Sequence, residues 1–189
     1  MKKQFFSIML GVLLTAVSGM MFSACGDDKD EPKDPTADKW TTSYAVHMKL
    51  GDEMLTIADI TAHIANPDGT YREEKINKNE QDWTLTGNSI PDKAGIYFSF
   101  TAKPGLDPEK IYKISVESTI SGKSFKNGEV FASKSGISES RQSMRGDKME
   151  DYFKKAKAIV VALSVNENGK VVDVNPADVN FGVTVPTRE

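Results

Sequence analysis

The chain has 189 residues, with 24 basic and 27 acidic side chains and a formal net charge of −3 at pH 7. This balance excludes the basic footprint that nucleic-acid binding requires. The single cysteine excludes an internal disulfide. Residues 40–189 are enough for one domain with its own hydrophobic core and short for two.

Residues 1–24 have the layout of a secretory signal peptide. Two lysines follow the first methionine, residues 5–21 are almost all apolar or small, and two small residues precede Cys25. A retained membrane-spanning helix is the alternative, and it requires about 20 apolar residues. Because this stretch is a little shorter and ends in a cleavage pattern, we expect residues 1–24 to be removed.

The motif Phe22-Ser23-Ala24-Cys25 resembles the lipobox of bacterial lipoproteins, in which cleavage falls directly before the cysteine. The resemblance implies that Cys25 becomes the amino terminus, with a diacylglyceryl group on sulfur and an acyl group on nitrogen. Each buried CH₂ group contributes about 0.8 kcal/mol, and several chains together make a lasting anchor. Cys25 is therefore the predicted lipid-attachment site, and the membrane is the predicted partner there.

An acidic run at residues 27–31 follows Gly26 and is similar to the surface-export signal of lipoproteins from Bacteroidetes. The resemblance implies an outer-membrane lipoprotein exposed on the cell surface, and it indicates no narrower family. Residues 25–39 are polar, contain two prolines and lack an apolar period, which is typical of a flexible tether. A solvated acidic linker without an export role is the alternative.

Strand patterns predominate after the tether. Residues 44–50 and 96–102 alternate apolar and polar side chains, which predicts half-buried strands. The segment Asn66-Pro67-Asp68-Gly69 predicts a turn, followed by a polar edge strand at 70–76. Further strands are predicted at residues 54–65, 83–85, 112–120, 124–126, 129–134, 159–165, 170–174 and 181–185.

Turns and one helix complete the predicted elements. Gly122-Lys123 and residues 166–169 predict hairpin turns, and the serine-rich residues 136–146 predict an irregular loop, the kind of segment that functional surfaces favour. Asp147 and Glu150 have capping-box spacing, with Asp147 at the cap. Apolar residues then recur at helical spacing, which predicts a helix of about ten residues.

Eight or nine strands at spacings near ten residues, with one short helix, predict a mainly β fold. We expect an antiparallel β-sandwich, immunoglobulin-like or transthyretin-like in general shape, with a closed barrel as the alternative. The predicted organisation is a signal peptide at 1–24, a lipidated cysteine with its tether at 25–39, and a single sandwich domain at 40–189.

Candidate metal chemistry rests on His47 and His63, the only histidines. Both fall on the polar faces of strands that could be neighbours, where two imidazoles could bind a metal ion or haem iron. Neither has a cysteine or a carboxylate cluster nearby in sequence. The pattern therefore favours two exposed histidines, and we predict no metal site and no cofactor.

Catalytic motifs are absent from the sequence. There is no nucleophile elbow, and the carboxylates Asp59, Glu117 and Glu129 are scattered, whereas a glycosidase needs two held roughly 5 to 10 Å apart. We predict no catalytic residues and no enzyme, with a small hydrolase as an alternative. Arg145-Gly146-Asp147 spells the adhesive tripeptide recognised by integrins, but a helix-capping role for Asp147 favours a structural interpretation.

Aromatic side chains supply the candidate ligand-binding residues. Trp83 and Tyr97 could stack on sugar rings, and Tyr97 is expected to be exposed because Ile96 and Phe98 share the other face of its strand. The predicted function is a non-catalytic, surface-anchored binding or structural module with a glycan or a partner protein as ligand. The alternatives are a pilus or adhesin subunit with an exchangeable strand at 181–185, a small hydrolase, and haem or metal capture.

Overall fold

The computed structural model describes residues 38–186, and the predictions for residues 1–37 lie outside this range. Within this range nine strands form two antiparallel sheets, so the predicted β-sandwich is confirmed. The strands are β1 (Trp40–Leu50), β2 (Ala58–Ala65), β3 (Tyr71–Lys75), β4 (Glu80–Gly87), β5 (Asp92–Ala102), β6 (Ile111–Lys126), β7 (Glu129–Arg145), β8 (Ile159–Val165) and β9 (Val171–Asp173). Two short α-helices are present in the described part, α1 (Met54–Ile57) and α2 (Met149–Lys155), with 3₁₀ turns at Gly146–Lys148 and Pro176–Asp178.

The four-stranded sheet has the order β4-β1-β6-β7, and the five-stranded sheet has the order β3-β2-β5-β8-β9. Alternate side chains of β1, β4, β6 and β8 are buried between the sheets, as the period-two pattern predicts. The largest fully buried side chains of this core include Tyr44, Met48, Ile64, Ile96, Phe98, Ile120 and Leu163. In the described residues, no helix is long and apolar enough to cross a membrane.

The longest hairpin joins β6 to β7 and corrects two predictions. The hairpin turn predicted at Gly122-Lys123 is wrong, because β6 is continuous and turns at Asn127-Gly128, where both φ angles are positive (54° and 89°). Asn-Gly is a stronger hairpin signal than Gly-Lys because both residues tolerate this conformation. Gly122 instead packs against the core, where an added Cβ would lie 3.0 Å from Leu163.

The serine-rich loop predicted at residues 136–146 is also wrong. All but the last of these residues belong to β7, which pairs with β6 along its length apart from a register shift at Ser124/Phe125. A serine-rich segment can form a strand when the neighbouring strand supplies the apolar residues, as β6 does with its alternating buried positions. The predicted strands at 124–126 and 129–134 are the parts of β6 and β7 that flank the turn of this hairpin.

Both helices differ from the prediction in detail. The run predicted as a strand at 54–65 begins with one helical turn, α1, and becomes extended only at Ala58. The helix predicted after residue 147 is present as α2, but it has seven residues. Asp147 does not cap it: Lys148 occupies the cap position with no side-chain hydrogen bond, and the Asp147 carboxylate lies 3.3 Å from Arg145 Nε.

The predicted last strand, at 181–185, is irregular. Gly182 adopts a φ of +75°, which breaks an extended strand, and an added Cβ there would collide with the Tyr71 ring. The segment instead covers the outer face of the five-stranded sheet, with Phe181 fully buried. We call residues 179–185 the carboxy-terminal cover.

Candidate functional site

Three polar side chains meet on the outer face of the five-stranded sheet, one from each of three adjacent strands. His63 of β2 lies opposite Glu73 of β3, because the hairpin around residues 66–70 fixes this register. On the other side, His63 lies opposite Tyr97 of β5, and Ser99 lies two positions further along that strand. The pleat therefore brings all three polar side chains to one face.

The contacts form a hydrogen-bonded chain from a hydroxyl through an imidazole to a carboxylate. Ser99 Oγ is 2.9 Å from His63 Nε2, and Glu73 Oε1 is 3.1 Å from His63 Nδ1. This is the order in which a nucleophile, a base and an orienting acid occur in hydrolases. We call the three residues the His63 relay.

The carboxy-terminal cover limits access to the His63 relay. The His63 ring stacks on Tyr97 at a centroid distance of 5.4 Å, and Tyr97 packs edge-on against Phe181 at 6.3 Å. As a result only 9% of the His63 side chain is exposed. Such a buried, hydrogen-bonded histidine can hold three strands together without any chemistry.

A pocket of about 90 Å³ lies beside Ser99, where β5 extends past the end of β8. Aromatic rings line it, including Phe100 and Phe153, which stack at 5.7 Å. Pockets that bury a drug-sized ligand have about 300–1,000 Å³. The pocket can therefore accept a small group such as an acetyl unit, and it is too small for a sugar ring with its substituents.

The predicted sugar-stacking residues are both buried. Tyr97 is 8% exposed, so the exposure expected of it is wrong, because the carboxy-terminal cover lies over it. Trp83 is 6% exposed on the inner face of β4, where its ring packs near Phe98 and its indole N–H donates to Glu74 Oε2 at 2.9 Å. The two rings lie in different sheets and do not form a joint platform for a ligand.

The two histidines do not come together. His47 lies on the outer face of the four-stranded sheet and contacts Asp82 at 2.9 Å, whereas His63 lies on the outer face of the other sheet. The expectation that their strands could be neighbours is wrong, because β1 and β2 belong to different sheets. Among residues 38–186, no group of three or more metal-ligating side chains forms a candidate metal site.

The other candidates occupy ordinary surface positions. Asp59 is 3.7 Å from Lys103, which directly follows β5, and Glu117 is 3.4 Å from Arg141 on the neighbouring strand, so each carboxylate has a basic neighbour. In the integrin-like tripeptide, Arg145 contacts Glu109 at 2.7 Å. This ion pair holds the tripeptide against the loop that precedes β6.

A second polar cluster lies inside the sandwich and was missed by the sequence analysis. The hydroxyl groups of Thr42 and Tyr44, both on β1, donate to the carboxylate of Asp92 at the start of β5. Burial raises the pKa of Asp92, and it also raises the pKa of Tyr44. An added Cβ at Gly87 would lie 2.4 Å from both Asp92 and Thr42, so the cluster has no room for a ligand.

The His63 relay was also missed, and the sequence contains part of the signal for it. The Asn66–Gly69 turn fixes the β2–β3 register and therefore places Glu73 opposite His63. Ser99 has no comparable local signal, because the pairing of β2 with β5 joins segments more than thirty residues apart. No family model matches the chain, and a search of curated proteins finds no match.

Proposed function

We propose that this protein is a lipid-anchored outer-membrane lipoprotein whose β-sandwich acts as a non-catalytic binding or structural module at the cell surface. The observation that carries the proposal is the motif Phe22-Ser23-Ala24-Cys25, followed by an acidic tether. The folded domain begins directly after that tether, at the start of β1. This order suits a domain held near a membrane by a lipidated cysteine.

A partner protein fits the geometry better than a glycan does. The two candidate rings are buried, the pocket beside Ser99 is too small for a sugar, and the larger clefts of about 380, 540 and 720 Å³ are lined by no exposed aromatic ring. In contrast, β7 is a 17-residue edge strand that pairs only with β6 in the described part of the chain. Its free edge could accept a strand of another protein, beside the exposed Ile137.

The first test concerns the anchor. The full chain and a Cys25→Ala variant would be produced in a Bacteroidetes host, and the amino-terminal peptide would be analysed by mass spectrometry. We expect an acylated peptide beginning at Cys25, and digestion of the folded domain by protease added to intact cells. An unmodified cysteine in a membrane-free protein would contradict the proposal.

The second test concerns the ligand. A photo-crosslinking residue would replace Ile137 beside the free edge, and a matched one would replace Thr84 on β4 at the other edge of the same sheet. We expect a covalent protein adduct on intact cells from position 137 and little from position 84. A glycan array carrying the same protein is expected to stay blank, and a reproducible sugar hit would overturn the choice of a protein ligand.

A small hydrolase is the second candidate, because the His63 relay favours it. Ser99 Oγ would attack an ester carbonyl while His63 Nε2 takes the hydroxyl proton, with Glu73 orienting the imidazole. The cover over His63 and the small pocket oppose this function. A fluorophosphonate probe tests this candidate, and under the leading proposal it does not label Ser99. Ser140 lies at the same pocket and supplies the control. Labelling that is lost in Ser99→Ala and retained in Ser140→Ala would establish Ser99 as a reactive nucleophile.

Two further alternatives receive no support from a specific contact. A pilus-type subunit needs an exchangeable terminal strand, and the carboxy-terminal cover is irregular and outside both sheets. Capture of haem or a metal by His47 and His63 together would require side chains on opposite outer faces to meet.

A further inference from the structure

An aromatic cluster lies where the chain enters the folded domain. Trp40, the first residue of β1, meets Phe131 of β7 edge-on at a centroid distance of 5.0 Å. Lys126 Nζ lies 5.7 Å from the Trp40 ring. Phe131 is 50% exposed and Val130 is 59% exposed, although both are large apolar residues. We call these four residues the tether-proximal cluster.

Contacts hold the end of the tether against this cluster. Asp38 forms an ion pair with Lys126 at 2.7 Å, and the backbone N–H of Asn127 donates to the Lys39 carbonyl at 2.8 Å. The Trp40 ring also packs over Gly169 in the β8–β9 turn, where an added Cβ would lie 2.4 Å from the ring. The position of the cluster relative to residue 38 is therefore fixed by the fold.

Chain lengths make this end of the domain the one nearest to a lipid at Cys25. Twelve residues lie between Cys25 and Asp38, and the fully extended chain from one to the other reaches at most about 45 Å. The opposite end of β6, at Ile111, lies about 50 Å from Lys126 at the rise of an extended strand. That end could approach the membrane only with the tether stretched back along the domain, at a cost in chain entropy.

The chemistry of the cluster suits the boundary between lipid headgroups and acyl chains. Tryptophan prefers this zone because its ring is apolar while its indole N–H can bind water or headgroups. Exposed Val and Phe side chains gain by leaving water, and a lysine can extend its ammonium group towards the headgroups. A patch this small binds weakly by itself, but a covalent anchor raises its local concentration at the membrane.

We propose that the tether-proximal cluster rests in the headgroup region of the membrane that carries the anchor, so that the opposite end of the β6–β7 hairpin, where Ile111 pairs with Arg145, is directed away from the lipid. This inference rests on the proposed lipid anchor at Cys25. It adds a second, non-covalent membrane contact and a defined orientation of the domain. The occupant of the patch is a lipid surface and not a second copy of the chain.

Tryptophan fluorescence tests the inference, because the chain contains only two tryptophans. The lipidated full chain would be reconstituted into phosphatidylcholine vesicles with and without a nitroxide on the lipid headgroup. Trp83 is buried opposite Val46, six residues along β1 from Trp40 and about 20 Å away, so it serves as an internal reference. We expect the nitroxide to quench the emission of Trp40, because an interfacial ring lies at headgroup level, and to leave the emission of a Trp40→Phe variant almost unchanged.

Paired variants separate the patch from general hydrophobicity. Val130→Ser with Phe131→Ser removes exposed apolar surface inside the cluster, and Ile111→Ser removes it at the opposite end of β6. We expect the double variant to lose most of the quenching and the Ile111 variant to retain it. Circular dichroism of each variant confirms that the sandwich is intact.

The outcomes distinguish this inference from the anchor itself. If the protein does not float with vesicles, the proposed lipidation fails and the Cys25→Ala variant behaves identically. If it floats but Trp40 is not quenched, the membrane contact is overturned while the anchor stands. If Trp40 becomes shielded from solvent only at high protein density, and crosslinking that does not use Cys25 yields a dimer, the tether-proximal cluster binds a second copy of the chain. That outcome also overturns the inference.

Discussion

The two outer faces of the sandwich differ in their exposure to solvent. The outer face of the five-stranded sheet is covered by residues 179–185, so that 9% of the His63 side chain is exposed. No segment among residues 38–186 covers the outer face of the four-stranded sheet in this way, and 41% of the His47 side chain is exposed. Each face carries one histidine in contact with one carboxylate, which makes the two a natural pair for comparison.

The burial patterns of the central strands explain the difference. In β6 the buried positions alternate, so one side of the strand tolerates water. In β5 the five residues 94–98 are all buried, which means that both sides of the strand are covered. A sheet face that carries Tyr97 beside alanines needs a second layer, and the carboxy-terminal cover supplies it with Phe181 and Val185.

The largest expected effect follows from breaking the cover. Phe181→Ala removes a fully buried ring that packs on Tyr97, and we expect it to lower the free energy of unfolding by about 3–5 kcal/mol, the range for buried Phe→Ala changes. Urea denaturation followed by circular dichroism measures it. Val183→Ala, an exposed site two residues away, is the matched control and should change stability by less than about 0.5 kcal/mol. Equal losses at the two sites would show that the cover is not packed as a layer.

The next effect lies between the sheets, where Asp92 joins β5 to β1. Asp92→Ala leaves the hydroxyls of Thr42 and Tyr44 without their acceptor, and each buried unsatisfied group costs about 1–3 kcal/mol. We expect a loss of about 2–4 kcal/mol in urea denaturation at neutral pH. Asp59→Ala, an exposed carboxylate on a neighbouring strand, is the control and should be nearly neutral. A neutral Asp92→Ala would mean that water replaces the carboxylate.

The pH dependence of the same site has a definite sign. Burial raises the pKa of Asp92 in the folded protein above its ordinary value of 3.8. The stability that the protonated carboxyl contributes is therefore complete below the unfolded pKa, and it is lost as the pH rises through the folded pKa. Relative to Asp92→Asn, which does not titrate, the wild-type protein should lose stability as the pH rises from below 3.8 through the raised pKa of Asp92. A difference that does not change as the pH rises would contradict the raised pKa.

The comparison also shows what local sequence pattern can predict. Alternation identified the core of β1, β5 and β8 and the sandwich itself, because each of these signals lies within one strand. The carboxy-terminal cover could not be found this way: residues 181, 183 and 185 alternate like a strand, yet Gly182 needs a positive φ and the segment lies outside both sheets. Its position depends on packing over Tyr97, a residue more than eighty positions earlier.

The candidate site divides along the same line. The contact between His63 and Glu73 follows from a short hairpin and could be read from the turn between them. The contacts of His63 with Ser99 and Tyr97 depend on a pairing between distant segments, so the isolated residues gave no sign of them. The exposure expected of Tyr97 failed for this reason, since alternation along β5 describes one face and says nothing about what covers the other.

The smallest and most direct comparison replaces each histidine in turn. His63→Ala removes a buried ring that stacks on Tyr97 and contacts Ser99, and we expect it to cost about 1–3 kcal/mol in urea denaturation. His47→Ala removes an exposed ring whose partner Asp82 is itself largely solvated, and it should stay within about 0.5 kcal/mol. If both variants lose the same stability, the covered and open faces are energetically alike and the cover serves only to shield the His63 relay. If only His63→Ala lowers the free energy of unfolding, the His63 relay and the carboxy-terminal cover form one structural layer. The burial of the relay in that layer would then explain why a fluorophosphonate probe does not label Ser99.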